Sequence, residues 1–241
     1  MATTQTPPKT GFEKWKDGVD KAVGDAKWDS WDCEIQRTVN EYNRHLSKTP
    51  GYMPLDWLLI KAMLWVENNP AKPDWNIKPL RIGVPGDAGL PAFLGAEEGG
   101  DLILPPIWKG KITANSARTL PVHNIRAGIG YLLMRMAYYD KNRSVLDDDT
   151  KVYEATVKLG DDFGKIAKTY GSTDEVLKKL NPTAIPTALR NGQVLKYQKA
   201  SRKQVIIGWR SFSTNTVALR YNSMRQDPHY AEKLNHTITN E

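Results

Sequence analysis

Residues 57–70, WLLIKAMLWVENNP, form the most apolar run in the chain, and the run ends on one carboxylate. Apolar side chains fall on nearly every helical face, with Lys61 the only charge before Glu67, so a helix here is buried on most sides. Asn68, Asn69 and Pro70 stop it, because Asn tolerates a left-handed cap and Pro cannot continue a helix. Glu67 then sits at the negative end of a core helix, flanked by apolar groups. Both conditions favour the protonated acid, which a general acid near neutral pH requires. The alternative, on this stretch alone, is a Glu67 that faces solvent beyond the core.

The rest of the chain divides around this helix. Residues 1–27 are polar and alternately charged, and read as a flexible arm with one short amphipathic turn around Phe12 and Trp15. Trp28, Trp31, Ile35, Val39, Tyr42 and Leu46 repeat at three and four, which predicts one helix over 28–47, broken by Thr49, Pro50 and Gly51. From Asn68 to about Pro121 glycine and proline are dense. A stretch that long is functional or carries small strands, and KPLRIGVPGDAGL (78–90) suits a hairpin with VPGD as its turn. HNIRAGIGYLLMRMAYYD (123–140) reads as a helix capped by His123 or Asn124, and Gly128 and Gly130 fit it where backbone packs closely. Residues 142–151 read as an acidic linker. Residues 153–198 read as strand, helix, helix, strand, with Ser172 or Thr173 capping the second helix. A strand at QVIIG (204–208) follows, then helices at STNTVALRYNSM (213–224) and DPHYAEKLNHTI (227–238), the latter with Pro228 in its first turn.

Composition narrows the chemistry without deciding it. A chain of 241 residues holds one large domain or two smaller ones with a real core. The net charge of +7 suits an anionic polymer: nucleic acid, acidic lipid or bacterial cell wall. No nucleic-acid motif and no sustained Lys/Arg run accompany it, so nucleic acid is not an expected partner. Eight tryptophans suit carbohydrate contact, since sugars stack on indole faces, though large cores also use Trp. Cys33 is the only cysteine, which leaves no internal disulfide. No run reaches the length of a membrane span. The N-terminus lacks the apolar core of a secretory signal, so the expectation is a protein made in the cytoplasm and carried to an outside substrate by another route. His123, His229 and His236 show no metal spacing, and neither a metal nor a cofactor is expected.

The strand-helix-helix-strand unit resembles a LysM domain. The likeness rests on Val157, Lys158-Leu159-Gly160-Asp161, Ile166-Ala167, Tyr170-Gly171, Leu177, Asn181-Pro182, Leu189 and Gly192-Gln193-Val194-Leu195, in order and at matching spacing. Asp162 departs from the Thr or Ser that usually follows the Gly-Asp pair. The resemblance implies binding to the N-acetylglucosamine backbone of peptidoglycan or chitin. The implied groove lies between the Gly160, Asp161, Asp162 and Phe163 loop and the loop of Asn181, Pro182 and Ile185.

The remainder resembles the lysozyme-like domain of soluble lytic transglycosylases and goose-type lysozymes. The matching pieces are Glu67-Asn68 at the end of an apolar helix, then Gly86-Asp87-Ala88-Gly89-Leu90. Next come Asn124-Ile125-Arg126-Ala127-Gly128 with Tyr131-Leu132, and Leu219-Arg220-Tyr221-Asn222 followed by Tyr230. Asn68 replaces the family's Ser, and Pro91-Ala92 replace its Met-Gln pair. Together the two resemblances imply an α+β chain, a mainly helical lysozyme-like domain with a small β region, interrupted by an inserted LysM domain. The expected parts are an arm at 1–27, catalytic segments at 28–151 and 199–241, and the LysM unit at 152–198. The alternative is that 199–241 form a separate tail.

The implied reaction breaks the β-1,4 bond between N-acetylmuramic acid and N-acetylglucosamine, with Glu67 as general acid. A muramidase needs a second carboxylate, which in an inverting enzyme stands roughly 6.5–9.5 Å away. Asp87 is the best candidate, against its other reading as a turn residue capping its own backbone. The expected activity is therefore a muramidase; the alternative is a lytic transglycosylase, which needs no second carboxylate, since the sugar's 6-hydroxyl closes a 1,6-anhydro ring. Tyr221 is expected beside Glu67, orienting it or the substrate. Asn68, Gly89, Leu90, Asn124, Ile125, Tyr131 and Asn222 are the implied substrate contacts. The rival class is a cell-wall-binding protein on an inactive lysozyme-like scaffold. Without a signal or disulfides, the expected settings are a phage lysin or tail component or a secreted antibacterial effector, acting on the wall of the periplasm and met by an immunity or inhibitor protein.

Overall fold

The computed structural model describes residues 8–222 and 227–240. Among the described residues, eleven α-helices, two short 3-10 helices and four strands give an α+β chain that divides into two compact units. Unit 1 joins the residues up to Tyr138 with those from Ile206 onward, and unit 2 is the stretch Tyr139–Val205 between them. No helix among the described residues is long and apolar enough to cross a membrane.

Unit 1 is built on two buried helices. The apolar run forms α3 (Trp57–Glu67), capped by the Asp56 side chain, which accepts from the Leu58 N–H at 3.0 Å. Ile60, Met63 and Leu64 are fully buried on it, each contributing about 1.5–3 kcal/mol of burial. α7 (Pro121–Met136) is the second, starting on Pro121 with Leu120 as its cap residue. Neither His123 nor Asn124 caps it, because the helix begins earlier than the sequence suggested. The α2 helix (Asp32–Leu46), α4 (Gly89–Leu94), α5 (Gly100–Ile103), α6 (Ala114–Thr119) and α10 (Thr214–Tyr221) all pack on α7. Close approach is what the two α7 glycines permit: a Cβ on Gly130 would stand 2.2 Å from Phe93 Cζ and 2.5 Å from the Tyr42 hydroxyl.

Three expectations change in unit 1. Over its described residues the arm is not loose: α1 (Gly11–Ala22) opens with a capping box between Thr10 and Glu13 and buries Val19 and Ala22. The stretch 68–121 holds short helices and turns instead of strands. Val84–Asp87 does turn, through the Asp87 N–H to the Val84 carbonyl at 3.0 Å, but no strands flank it. The last helix, α11 (Tyr230–Asn240), packs on α3 and α1. The expected helix over 213–224 runs partly outside the described residues.

The boundary of unit 2 runs through two long strands, β1 (Ala137–Leu146) and β4 (Ala200–Trp209), which pair with each other. The last four residues of the expected helix (137–140) and the first half of the expected linker (142–146) are therefore strand. The reason is local: Tyr138 and Tyr139 favour pleated backbone, and β4 offers Val205, Ile206 and Ile207 as partners. Inside unit 2, β2 (Tyr153–Thr156) pairs antiparallel with β3 (Val194–Tyr197), Tyr153 opposite Tyr197 and Ala155 opposite Leu195. Between them run α8 (Phe163–Tyr170) and α9 (Asp174–Leu180), closing a core of Ala155, Val157, Phe163, Ile166, Leu177 and Leu195.

Candidate active site

Glu67 ends α3 at only 6% exposure, and the next helix to reach it comes from far along the chain. The Tyr230 hydroxyl on α11 donates to Glu67 Oε1 at 3.0 Å. The Arg81 guanidinium lies 3.5 Å from the Glu67 backbone carbonyl. The carboxyl group is thus buried at a helix end with a hydroxyl donor on one of its oxygens.

Glu67 opens on a cleft of about 250 Å³. It is lined by Trp15 and Val19 of α1, by Trp28 and Trp65, and by Asn68, Asn69 and Lys72. Asn68 is itself buried: its amide reaches the Lys78 and Pro79 carbonyls at 3.3 and 3.4 Å, and its Oδ1 accepts from the Asn69 N–H. It fixes the chain leaving the helix and leaves little polar capacity for a substrate.

Asp87 lies in a different depression, about 310 Å³, with Lys78, Gly83 and Arg118. Both carboxylate oxygens are engaged by its own turn, Oδ2 by the Gly83 N–H and Oδ1 by the Gly89 N–H at 2.8 Å. The turn-capping reading describes this geometry, as expected of a short acidic side chain in a Gly-rich loop.

Tyr221 does not meet Glu67. Its hydroxyl donates to the Leu80 carbonyl at 3.2 Å, and burial, with Asp87 adding to it, holds the phenol far above its ordinary range. It therefore stays a donor. Asn124 works on the same loop: the Leu80 N–H donates to Oδ1 at 3.0 Å, and Nδ2 donates to Ile82 and Ala117 carbonyls at 2.9 and 2.8 Å. Between those grips Arg81 has φ of 53°, the sole positive value for a non-Gly among the described residues. Such backbone costs of order 1 kcal/mol and persists because its surroundings over-determine it.

The other implied substrate contacts are mostly interior. Leu90 and Ile125 are fully buried core residues. Gly89 lies against the Tyr131 ring, and Tyr131 tilts against Tyr221 with centroids 5.6 Å apart. The Asn222 amide donates to the Asp227 carbonyl at 3.0 Å.

Unit 2 places its implied glycan contacts similarly. Phe163 is 2% exposed and belongs to the core. Asp161 accepts from the Lys158 N–H at 2.8 Å, and Asp162 caps α8 through the Lys165 N–H at 2.7 Å. Asn181 fastens β3 by accepting from the Lys196 N–H at 2.8 Å and donating to its carbonyl at 2.7 Å. Gly160, with φ of 85°, and Pro182 remain exposed, as does Ile185. The two loops do meet, the Phe163 N–H reaching the Pro186 carbonyl at 3.3 Å. A depression of about 520 Å³ lies along 183–193 and includes Ile185 alone of the implied contacts.

Among the described residues no cluster of three or more His, Cys, Asp or Glu could hold a metal. Residues missed from sequence are Tyr230 as the partner of Glu67, Arg81, and Trp15. Trp15 carried a readable signal: Phe12, Trp15, Val19 and Ala22 recur at three and four within the charged arm. No family model, curated protein or solved structure matches the chain.

Proposed function

We propose that the protein is a peptidoglycan-cleaving glycosidase in which Glu67 is the acid and base, with unit 2 holding glycan. The observation that carries this is the buried Glu67 carboxyl, hydrogen-bonded by Tyr230, at an indole-lined cleft. Protonated Glu67 gives its proton to the glycosidic oxygen as the bond to the muramic acid C1 breaks. The muramic acid 2-acetamido group assists at C1. The resulting Glu67 carboxylate then accepts a proton from the same sugar's 6-hydroxyl, whose oxygen bonds to C1 and gives a 1,6-anhydro end.

A muramidase, which adds water instead, is the second reading. The engagement of both Asp87 oxygens by backbone N–H groups, in a depression apart from Glu67, supports the transglycosylase over it. Delivery to the wall as a phage component or effector, and an immunity partner, belong to the same proposal. A binding protein without catalysis is the contrasting class.

The test is turbidity clearing of purified cell walls. Wild type clears them, and Glu67→Gln slows clearing by at least a hundredfold, the range expected for loss of a general acid. Equal clearing by both, or by neither, would sink the assignment. Mass spectrometry of the products separates anhydro ends from reducing ends.

A further inference from the structure

The proton chemistry leaves one wall of the Glu67 cleft without a role. Trp15 and Trp28 line it and are neither fully buried nor part of the α3–α7 core. Trp28 is held rigidly, its ring 4.7 Å from Trp65 and 5.6 Å from Trp75 between centroids. Trp75 is fixed in turn by its indole N–H to Ser30 at 3.0 Å, and its carbonyl accepts the Trp31 indole N–H at 3.1 Å.

α1 brings Trp15 to the cleft, where its ring also meets α11, edge-on to His236 at 6.1 Å and under the Lys233 ammonium at 5.4 Å, while further anchors lie along the helix. Asp20 pairs with His236 at 2.7 Å, the Phe12 ring stacks on His229 at 4.5 Å, and Val19 and Ala22 are buried. Those contacts fasten α1 to α11, which also carries Tyr230. A helix plugging the site would fill the space over Glu67; here a cavity of about 250 Å³ remains between them. α1 is a wall of the cleft.

We propose that Trp15 and Trp28 form a stacking platform for one N-acetylhexosamine ring of the glycan next to the bond that Glu67 breaks. The flat C–H face of a pyranose suits an indole, and a pre-held ring gives up little conformational freedom on binding. Lys72 and Asn69 in the lining supply polar groups for hydroxyl and acetamido oxygens. The N-terminal helix is thereby a part of the substrate site. This rests on the reading of Glu67 as the catalytic acid, but it can fail separately.

All eight tryptophans lie in unit 1, so tryptophan fluorescence reports that unit without interference from glycan bound to unit 2. The experiment titrates full-length Glu67→Gln protein with an N-acetylglucosamine tetramer, alone and combined with Trp15→Ala or Trp15→Tyr. A saturable fluorescence change is expected, weakened about tenfold by Trp15→Ala and largely kept by Trp15→Tyr at unchanged melting temperature. Equal affinity in all three, tighter binding by Trp15→Ala, or no saturable change overturns the platform. If the Trp15 pattern holds while wild type and Glu67→Gln act alike on cell walls, the platform stands and the acid assignment falls.

Discussion

Asn124 is one side chain doing the work of a short strand. Two of its three hydrogen bonds hold the backbone on either side of Arg81, the third reaches the Ala117 carbonyl, and Tyr221 adds one to Leu80 from α10. Removing it leaves buried N–H and C=O groups unpaired, each costing about 1–3 kcal/mol. Asn124→Ala should lower stability by roughly 2–5 kcal/mol in urea denaturation. Asn124→Asp should cost as much, because a carboxylate cannot donate to the Ile82 and Ala117 carbonyls. A loss under about 1 kcal/mol for either would show that the loop repairs itself. At this scale the sequence was legible where a residue's setting is local. Glu67 after an apolar helix and Asp87 in a Gly-rich turn could both be read from their neighbours. Tyr230 could not, because the tyrosine that meets Glu67 depends on how α10 and α11 are laid down after unit 2. Tyr221 and Tyr230 lie nine positions apart in sequence and address different targets, Leu80 and Glu67.

Helices here are chosen by what presses on them. Gly130 lies inside α7 beneath Phe93 and the Tyr42 hydroxyl, and that hydroxyl donates to the Arg126 carbonyl at 2.9 Å. Gly130→Ala would gain about 1 kcal/mol of helix propensity. It would also drive a methyl group into both rings, an overpacking cost of about 1–3 kcal/mol. The net expectation is a lower melting temperature, and an unchanged or higher one would mean that α4 can slide off α7. The glycine pair on α7 was legible as close packing, since glycine in a helix interior needs a reason. The end of α7 was not. Apolar periodicity runs on through Tyr138 and Tyr139, and only the distant β4 decides that those residues extend. The same limit applies to α1, whose short apolar stripe is too weak to hold a helix without α11 to cover it.

The whole chain is two units, one of them interrupted. Because β1 and β4 are paired strands, the chain leaves unit 1 and returns to it on neighbouring backbones. Replacing 139–205 with a short turn should leave unit 1 folded, with a similar circular dichroism spectrum and cooperative melt. It should still cut short soluble glycans but act at least tenfold more slowly on intact walls, where a second binding unit raises local concentration. Failure to fold would mean that unit 2 is structural for unit 1. A rate on walls equal to that of the full chain would deny unit 2 a glycan-holding role. The edges of unit 2 carried no signal in the sequence, since they fall in a strand pair lying outside both motifs. It also sets a timetable. Glu67 and Tyr230 are 163 positions apart, with all of unit 2 between them. A ribosome adding about 5–20 residues per second delivers the contiguous unit 2 about 1–5 seconds before α11. Under the proposed function, the nascent chain would gain its means of holding glycan before the hydroxyl that meets Glu67, and would pass through synthesis disarmed.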